Sequence, residues 1–415
     1  MTDCCQAIPP AIASAPVLDF HLSDAQRALR ERVRAFADEA IRPRVGRIDE
    51  TYADGQVAHD ILTEAARRGI LALPVPEALG GEGGNNVDCV LALEELGAAD
   101  GGIATAVGAS WFGQTPILMA ASPDLRDAWL RRCADRERPF LVCMAMTEPT
   151  GGAAIEDPHL KMGTVETEVR FQADELLIRG RKLWPSNFDV ASLYTVVATT
   201  DRHAGESGSC LVVVERDRPG VSVGPPVRKM GMSGDRNGEI LLEDVRVPSS
   251  HLLGRPGEGM GILQRTLAYN RVGAAAIAIG IARAALETAL GWLAHRGAGD
   301  ALLVDHPVVR YLVGEAAGQL DAARLLTWRA AWLNTQPNSR SLHHASMAKV
   351  YASDTAMEVT TRAVQLMGSR GYSVDGGVEK YMRDTKIIQI YIGPNELVQQ
   401  EVGEGTARQL HAMFA

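Results

Sequence analysis

The sequence has no long run of one charge sign, no paired-cysteine motif and no uninterrupted apolar stretch of membrane-spanning length. Each absence removes a class of protein. Without a Lys/Arg block, and with a formal net charge of −9, the surface repels phosphate backbones, so no nucleic-acid partner is expected. The most apolar segment, "GAAAIAIGIA" at 273–282, stops at Arg283 and is too short to cross a bilayer, so no membrane insertion is expected. Cys4, Cys5, Cys89, Cys133, Cys143 and Cys210 form no CxxC or Cys/His pattern. That argues against a zinc or other metal site and a disulfide framework, and fits a reducing, cytoplasmic setting. The opening "MTDCCQAIPPAIASAP" lacks a basic stretch followed by a long apolar core, so it is expected to be a loose tail and not a signal peptide. No internal repeat or low-complexity block occurs.

What is present is ordinary globular chemistry: 46% hydrophobic and 22% charged residues in a chain of 415, enough for two or three domains. Texture divides it. After the tail (1–19), residues 20–140 read as helical. "SDAQRALRERVRAFADEAIRP" offers Ser23 as an N-cap and sets Leu29, Val33 and Phe36 at helical spacing before Pro43 disturbs the pattern. Residues 141–255 carry short β-rich runs such as "LYTVVATT" and "SCLVVVERD" between Gly, Asp and Pro turns, which predicts an antiparallel β domain. From 256 to 415 helix returns, with Gly273, Ala276 and Gly280 small enough for close helix packing. The expected class is α+β. "GGEGGN" at 80–85 has no GK[ST] after it and no strand before it, so it reads as a turn between helices and not as a phosphate loop.

Four segments carry more. They are "MAMTEPTGG" (144–152), "RKLWPSNFDVASLYTVVATT" (181–200), "EDVRVPSSHLLGRPGEGMGILQRTLAYNR" (243–271) and "QLMGSRGYSVDGGVEKYMRDTKIIQIYIGPNE" (365–396). In this order, and with these textures, the chain resembles the acyl-CoA dehydrogenase family of flavoproteins over nearly its whole length. The resemblance implies a helical, β, helical-bundle subunit that forms dimers or tetramers. FAD would lie between the β domain and the bundle, with an acyl thioester, borne by CoA or a carrier protein, against the flavin. It assigns Met146, Thr147, Gly152, Trp184, Ser186 and Asn395 to the cofactor. Arg296, Gln365 and Gly368 would face a neighbouring subunit's FAD. Ala153, Tyr269, Arg271, Tyr391 and Gly393 fall to the substrate, and Arg383-Asp384 matches a structural pair. Taken singly, Trp184 reads as a core aromatic and Thr147-Glu148-Pro149 as an ordinary turn; only the ensemble points to a flavin site.

The sequence departs from the family where the chemistry is decided. The proton-abstracting glutamate is usually the loop residue before Gly393, here Ile392, or the helix residue before Arg271, here Asn270. Neither side chain accepts a proton at neutral pH, and loss of a positioned base costs roughly 10²–10⁴ in rate. Ala153 stands where a serine is common and Gly299 where a phenylalanine is common; Pro185 and Pro394 each remove a backbone donor. The backbone N–H of Ile392 survives the change of side chain and still offers an oxyanion donor. The reading is an FAD-dependent oxidoreductase of acyl thioesters with variant chemistry. Glu148, Tyr269, Tyr391 and Glu396 are the candidate substitute bases. Two alternatives stand beside it: a base-less partner subunit of a hetero-oligomer, or a flavin monooxygenase on the same scaffold.

Overall fold

A computed structural model describes residues 21–156, 165–336 and 342–414. The expected tail, with Cys4 and Cys5, lies outside the described residues. The first helices are α1 (Asp24–Phe36), α2 (Val45–Glu50), α3 (Gln56–Arg67), α4 (Asn86–Gly97), α5 (Gly101–Ala120) and α6 (Pro123–Cys133). Ser23 caps α1 through a reciprocal capping box with Gln26, and Val33 and Phe36 turn inward. Pro43 falls in a short 3₁₀ turn after α1, where its missing N–H breaks no α-helical ladder. The glycine-rich turn before α4 is tied down: Gly83 and Gly84 donate their N–H groups to the Val75 and Leu73 carbonyls at 2.8 Å.

The strands β1 (Val142–Ala145), β2 (Glu168–Gln172), β3 (Glu175–Ser186), β4 (Leu193–Thr199), β5 (Ser209–Glu215), β6 (Val221–Val223), β7 (Asn237–Pro248) and β8 (Leu252–Leu253) make one sheet. Its order is β6-β7-β3-β2-β4-β5-β8, with β1 beside β4; the four-residue α7 (Ala153–Glu156) follows β1. The sheet is mixed, not purely antiparallel: β1 runs parallel to β4 from Val142↔Leu193 to Ala145↔Val196, and β2 touches β4 in parallel at Glu168↔Thr199. Composition marks strands but does not encode their direction, so the parallel pairs were invisible in the sequence.

The last layer holds α8 (Gly259–Leu293), α9 (Pro307–Thr335), α10 (Leu342–Met367), α11 (Ser369–Tyr372), α12 (Val378–Lys386) and α13 (Asn395–Phe414). Helix α8 is its axis, packed by α10, α4, α5 and α9. It is long and apolar enough to cross a membrane, but 83% of its most apolar window is buried inside the fold, as in a core helix. Its small residues set how close the neighbours come. A Cβ on Gly280 would fall 2.2 Å from the Glu94 carbonyl oxygen, and one on Gly97 would fall 2.7 Å from that of Ile277. The α4–α8 crossing is therefore backbone on backbone, and it draws the first helices onto the bundle.

Arg383 and Asp384 do not pair with each other, because successive helical residues point about 100° apart. Arg383 reaches Asp49 at 3.0 Å and Glu379 at 3.3 Å, while Asp384 holds Lys380 and the Met232 N–H. Gly280→Val should overpack the α4–α8 crossing and lower the unfolding free energy by about 1–3 kcal/mol. Gly291→Ala on the same helix, where an added Cβ meets nothing within 4 Å, should be neutral or stabilising. Thermal and denaturant unfolding of the two variants checks both directions.

Candidate functional site

At the seam of sheet and bundle, an irregular strand opens a cavity. The β3–β7 register slips between Leu183 and Ser186, and the slip holds Trp184 and Pro185. Proline cannot donate to the ladder, so a bulge is where it fits. Trp184 adopts φ 64°, which swings its ring off the sheet and leaves it 51% exposed. The bulge is pinned on both sides, by Leu183 N–H to the Thr147 carbonyl at 2.8 Å and by Asn237 Nδ2–H to the Trp184 carbonyl at 2.9 Å.

Opposite lies the loop between α12 and α13, where Ile392 has φ 51° and Gly393 φ 89°. A β-branched residue in left-handed backbone is strained. The loop is held there by bonds to its carbonyls: Arg271 Nε donates to Ile392 at 3.1 Å and Lys349 Nζ to Gly393 at 2.6 Å. Lys349 also reaches Asn395 Oδ1 at 2.7 Å, and the Asn395 amide bonds Ser353 and Asp354. Met232, at φ 52°, is a third bulky left-handed residue on this cavity. Strain of this kind collects at functional sites and persists only where the surroundings over-determine it.

The cavity, about 730 Å³, is lined by Met146, Thr147, Gly152, Ala153, Trp184, Ser186, Asn270, Tyr391 and Ile392 of the expected set. A second cavity of about 960 Å³ lies behind Asn270, with Tyr269, Asn86, Cys89, Trp111 and Asn334 in its wall. Leu93, Asn270 and Gly273 line both. Arg271 and Asn395 line neither; they hold the loop from behind. Arg296, Gln365 and Gly368 are exposed and away from both cavities within a single subunit. Ser186 Oγ–H is already committed to Asp235 at 2.9 Å.

The four candidate bases are placed elsewhere in role or position. Glu148 is clamped by Lys182 at 2.6 Å and accepts the Glu166 and Thr167 N–H groups. Burial pushes its carboxyl up, but Lys182 and these bonds prevail and hold it below the usual range. Tyr269 donates its hydroxyl to the Asn334 carbonyl at 3.0 Å, burial raises the Tyr391 phenol far above neutrality, and Glu396 is exposed in the first turn of α13.

Two carboxylates in the first cavity, Asp235 and Glu156, were not anticipated, and Glu156 is the one beside the Ile392 loop. Glu156, 4% exposed at the end of α7, lines this cavity together with Ile392. Its Oε2 is 3.4 Å from Arg271 Nη2, and a Cβ on Gly393 would fall 2.8 Å from it. Burial pushes the Glu156 carboxyl up to about 7, against the pull of Arg271 and Lys349. Arg271, 0% exposed, also bonds Ser346 Oγ at 2.7 Å and Glu401. No spacing in the sequence brings 156 to 392; only the fold does.

The cavity suits a flat, large ring system. It has one aromatic face turned into it by strain, small residues Gly152 and Ala153 at one edge, the Thr147 hydroxyl, and mainly apolar walls. With its bulged sheet and strained loop, the site is that of a flavin-dependent oxidoreductase. The chain matches the acyl-CoA dehydrogenase N-terminal domain over 23–137, the middle domain over 143–245 and the C-terminal domain over 257–406. It is 36% identical over 388 residues to cyclohex-1-ene-1-carbonyl-CoA dehydrogenase of Geobacter metallireducens, covering 92% of this chain and 98% of that one. It is 32% identical to the human mitochondrial short-chain specific acyl-CoA dehydrogenase, over 91% of this chain and 88% of that one. The solved butyryl-CoA dehydrogenase of Megasphaera elsdenii superposes with a TM-score of 0.87 at 30% identity, covering 94% of this chain and 100% of that one. The chain belongs to the acyl-CoA dehydrogenase family and is an FAD-dependent oxidoreductase.

Lys349 provides a test of the loop. Burial, with Arg271 adding to it, pulls its ammonium down to about 7 from 10.5. Between those pH values the unfolded chain holds a proton that the folded protein lacks, so this group's contribution to stability rises with pH across the window. Lys349→Met should abolish that slope and cost about 1–3 kcal/mol through the orphaned Gly393 carbonyl. It should also speed amide hydrogen exchange over residues 388–396, read by mass spectrometry across pH 7 to 10.

Proposed function

We propose that this chain dehydrogenates an acyl thioester between its α and β carbons, with FAD in the Trp184–Thr147 cavity and the acyl group in the cavity behind Asn270. The meeting of the two cavities at Asn270 and Gly273 supports this reading: a substrate seated there would have its reacting carbons at the edge of a flavin bound in the first. Bound FAD supplies the two-electron acceptor. Thr147 and the face of Trp184 orient it, and the N–H of Ile392 is the donor this reading assigns to the thioester carbonyl. The strained loop keeps that N–H in place whatever the side chain.

The relatives act, by name, on CoA thioesters, which favours CoA over a carrier protein as the thioester's other half. Asn86, Tyr269, Asn270 and Asn334 give the acyl cavity a polar wall, on which a plain hydrocarbon chain gains less than on an apolar one. Exposed Tyr311 on α9, and exposed Tyr372 and Val374 shortly after Gly368 in the chain, support a homo-oligomer in which Arg296, Gln365 and Gly368 meet a neighbour's cofactor. The four described cysteines, all buried and free, accord with a cytoplasmic setting.

A second reading, a base-less subunit that completes a partner's site, draws on Ile392 and Asn270. Purification separates the two. An enzyme in its own right should show a visible flavin absorption band after reconstitution with FAD alone, and that band should shift on adding acyl-CoA. A colourless protein that takes FAD only beside a base-bearing homologue would overturn the proposal. Straight-chain saturated acyl-CoAs should bleach the flavin far more slowly than the typical kcat of about 10 s⁻¹, as stopped-flow absorbance would record.

A further inference from the structure

Neither usual seat of the base holds an acid, yet the loop at Ile392 has a carboxylate beside it. Glu156 arrives from α7, on the opposite side of the sequence, and its Oε2 lies within 2.8 Å of where a Gly393 side chain would begin. It lines the flavin cavity together with Ile392 and Asn270. The cavity's other carboxylate, Asp235, is engaged through one oxygen: Ser186 donates to its Oδ2 at 2.9 Å and Lys229 lies 3.8 Å from the same atom, whereas the Ile392 loop is held by Arg271 and Lys349. Glu156 faces Arg271 instead. Among the described residues its side chain has one hydrogen bond, the 3.4 Å contact from Arg271.

We propose that Glu156 is the catalytic base of this chain, a carboxylate brought from α7 to the place where Ile392 offers none. The inference rests on the acyl-thioester reading above. The step balances: the α C–H bond breaks and its proton passes to Glu156. The electron pair becomes the second bond of the α,β double bond, and the β hydrogen leaves with its pair, as hydride, to oxidised FAD. The surroundings tune the acid as a base requires. Burial favours the neutral carboxyl, Glu401 on α13 adds to that, and Arg271 on α8 and Lys349 on α10 favour the ionised form. The balance is a midpoint of about 7, where a general base has both the right charge and useful driving force.

An acetyl thioester tests the step apart from turnover, because it has α-hydrogens and no β-carbon to oxidise. FAD-loaded protein in D₂O is given acetyl-CoA or S-acetyl-N-acetylcysteamine, and deuterium at the α-carbon is followed by mass spectrometry. Wild type should exchange well above the protein-free rate, rising with pH through a midpoint near 7 and level above it. Glu156→Gln should slow exchange by roughly 10²–10⁴ while the flavin band and its shift on thioester binding persist. Ile392→Glu added to Glu156→Gln should recover part of the loss. A loss under tenfold, a pH-independent rate between pH 5 and 9, or no exchange by wild type overturns the assignment. If Glu156→Gln does not fold, the wild-type pH profile decides alone. Loss of the flavin band or of its thioester shift in wild type strikes instead at the acyl-thioester reading.

Discussion

A single buried guanidinium ties this site together. Arg271 leaves the middle of α8 and meets α10 through Ser346, α13 through Glu401, α7 through Glu156 and the α12–α13 loop through the Ile392 carbonyl. These partners lie at positions 156, 346, 392 and 401, so no local structure could assemble them. A charge with no solvent contact survives only if its donors are taken up, and removing one partner of such a pair costs about 3–5 kcal/mol. The shape of the loop is thus coupled to the integrity of the whole bundle.

That coupling explains how three bulky residues remain in left-handed backbone around one cavity. Each such residue costs of order 1–3 kcal/mol, and each is held by hydrogen bonds with its surroundings. Trp184 is caught between the two strands of a slipped ladder. Ile392 sits over Arg271 and Lys349. Among the described residues, three of the six left-handed non-glycine positions gather where sheet and bundle meet, around the cavity that Trp184 and Ile392 line.

Much of this was legible in the sequence because it is written in contiguous motifs. "MAMTEPTGG" and "RKLWPS" name the residues that line the first cavity, and "IGPNE" names the strained loop. Gly280 announced a close helix contact through size alone. What could not be read was tertiary. Glu156 is one acid among many after a glycine turn, and nothing in its neighbourhood marks it as buried. Glu148 looked available until the fold gave it Lys182. The parallel β1–β4 pair is equally silent, since alternation of side chains says nothing of strand direction.

The closeness of Glu156 to Gly393 also constrains what the chain can become. Restoring a glutamate at Ile392 alone would set two carboxylates over one cavity, and like charges so placed resist ionising together. The first would weaken the second, and the substitution alone would look harmful. The same glutamate would be welcome once Glu156 had gone. With Glu156 as the base, the two positions are coupled, and each glutamate works better without the other.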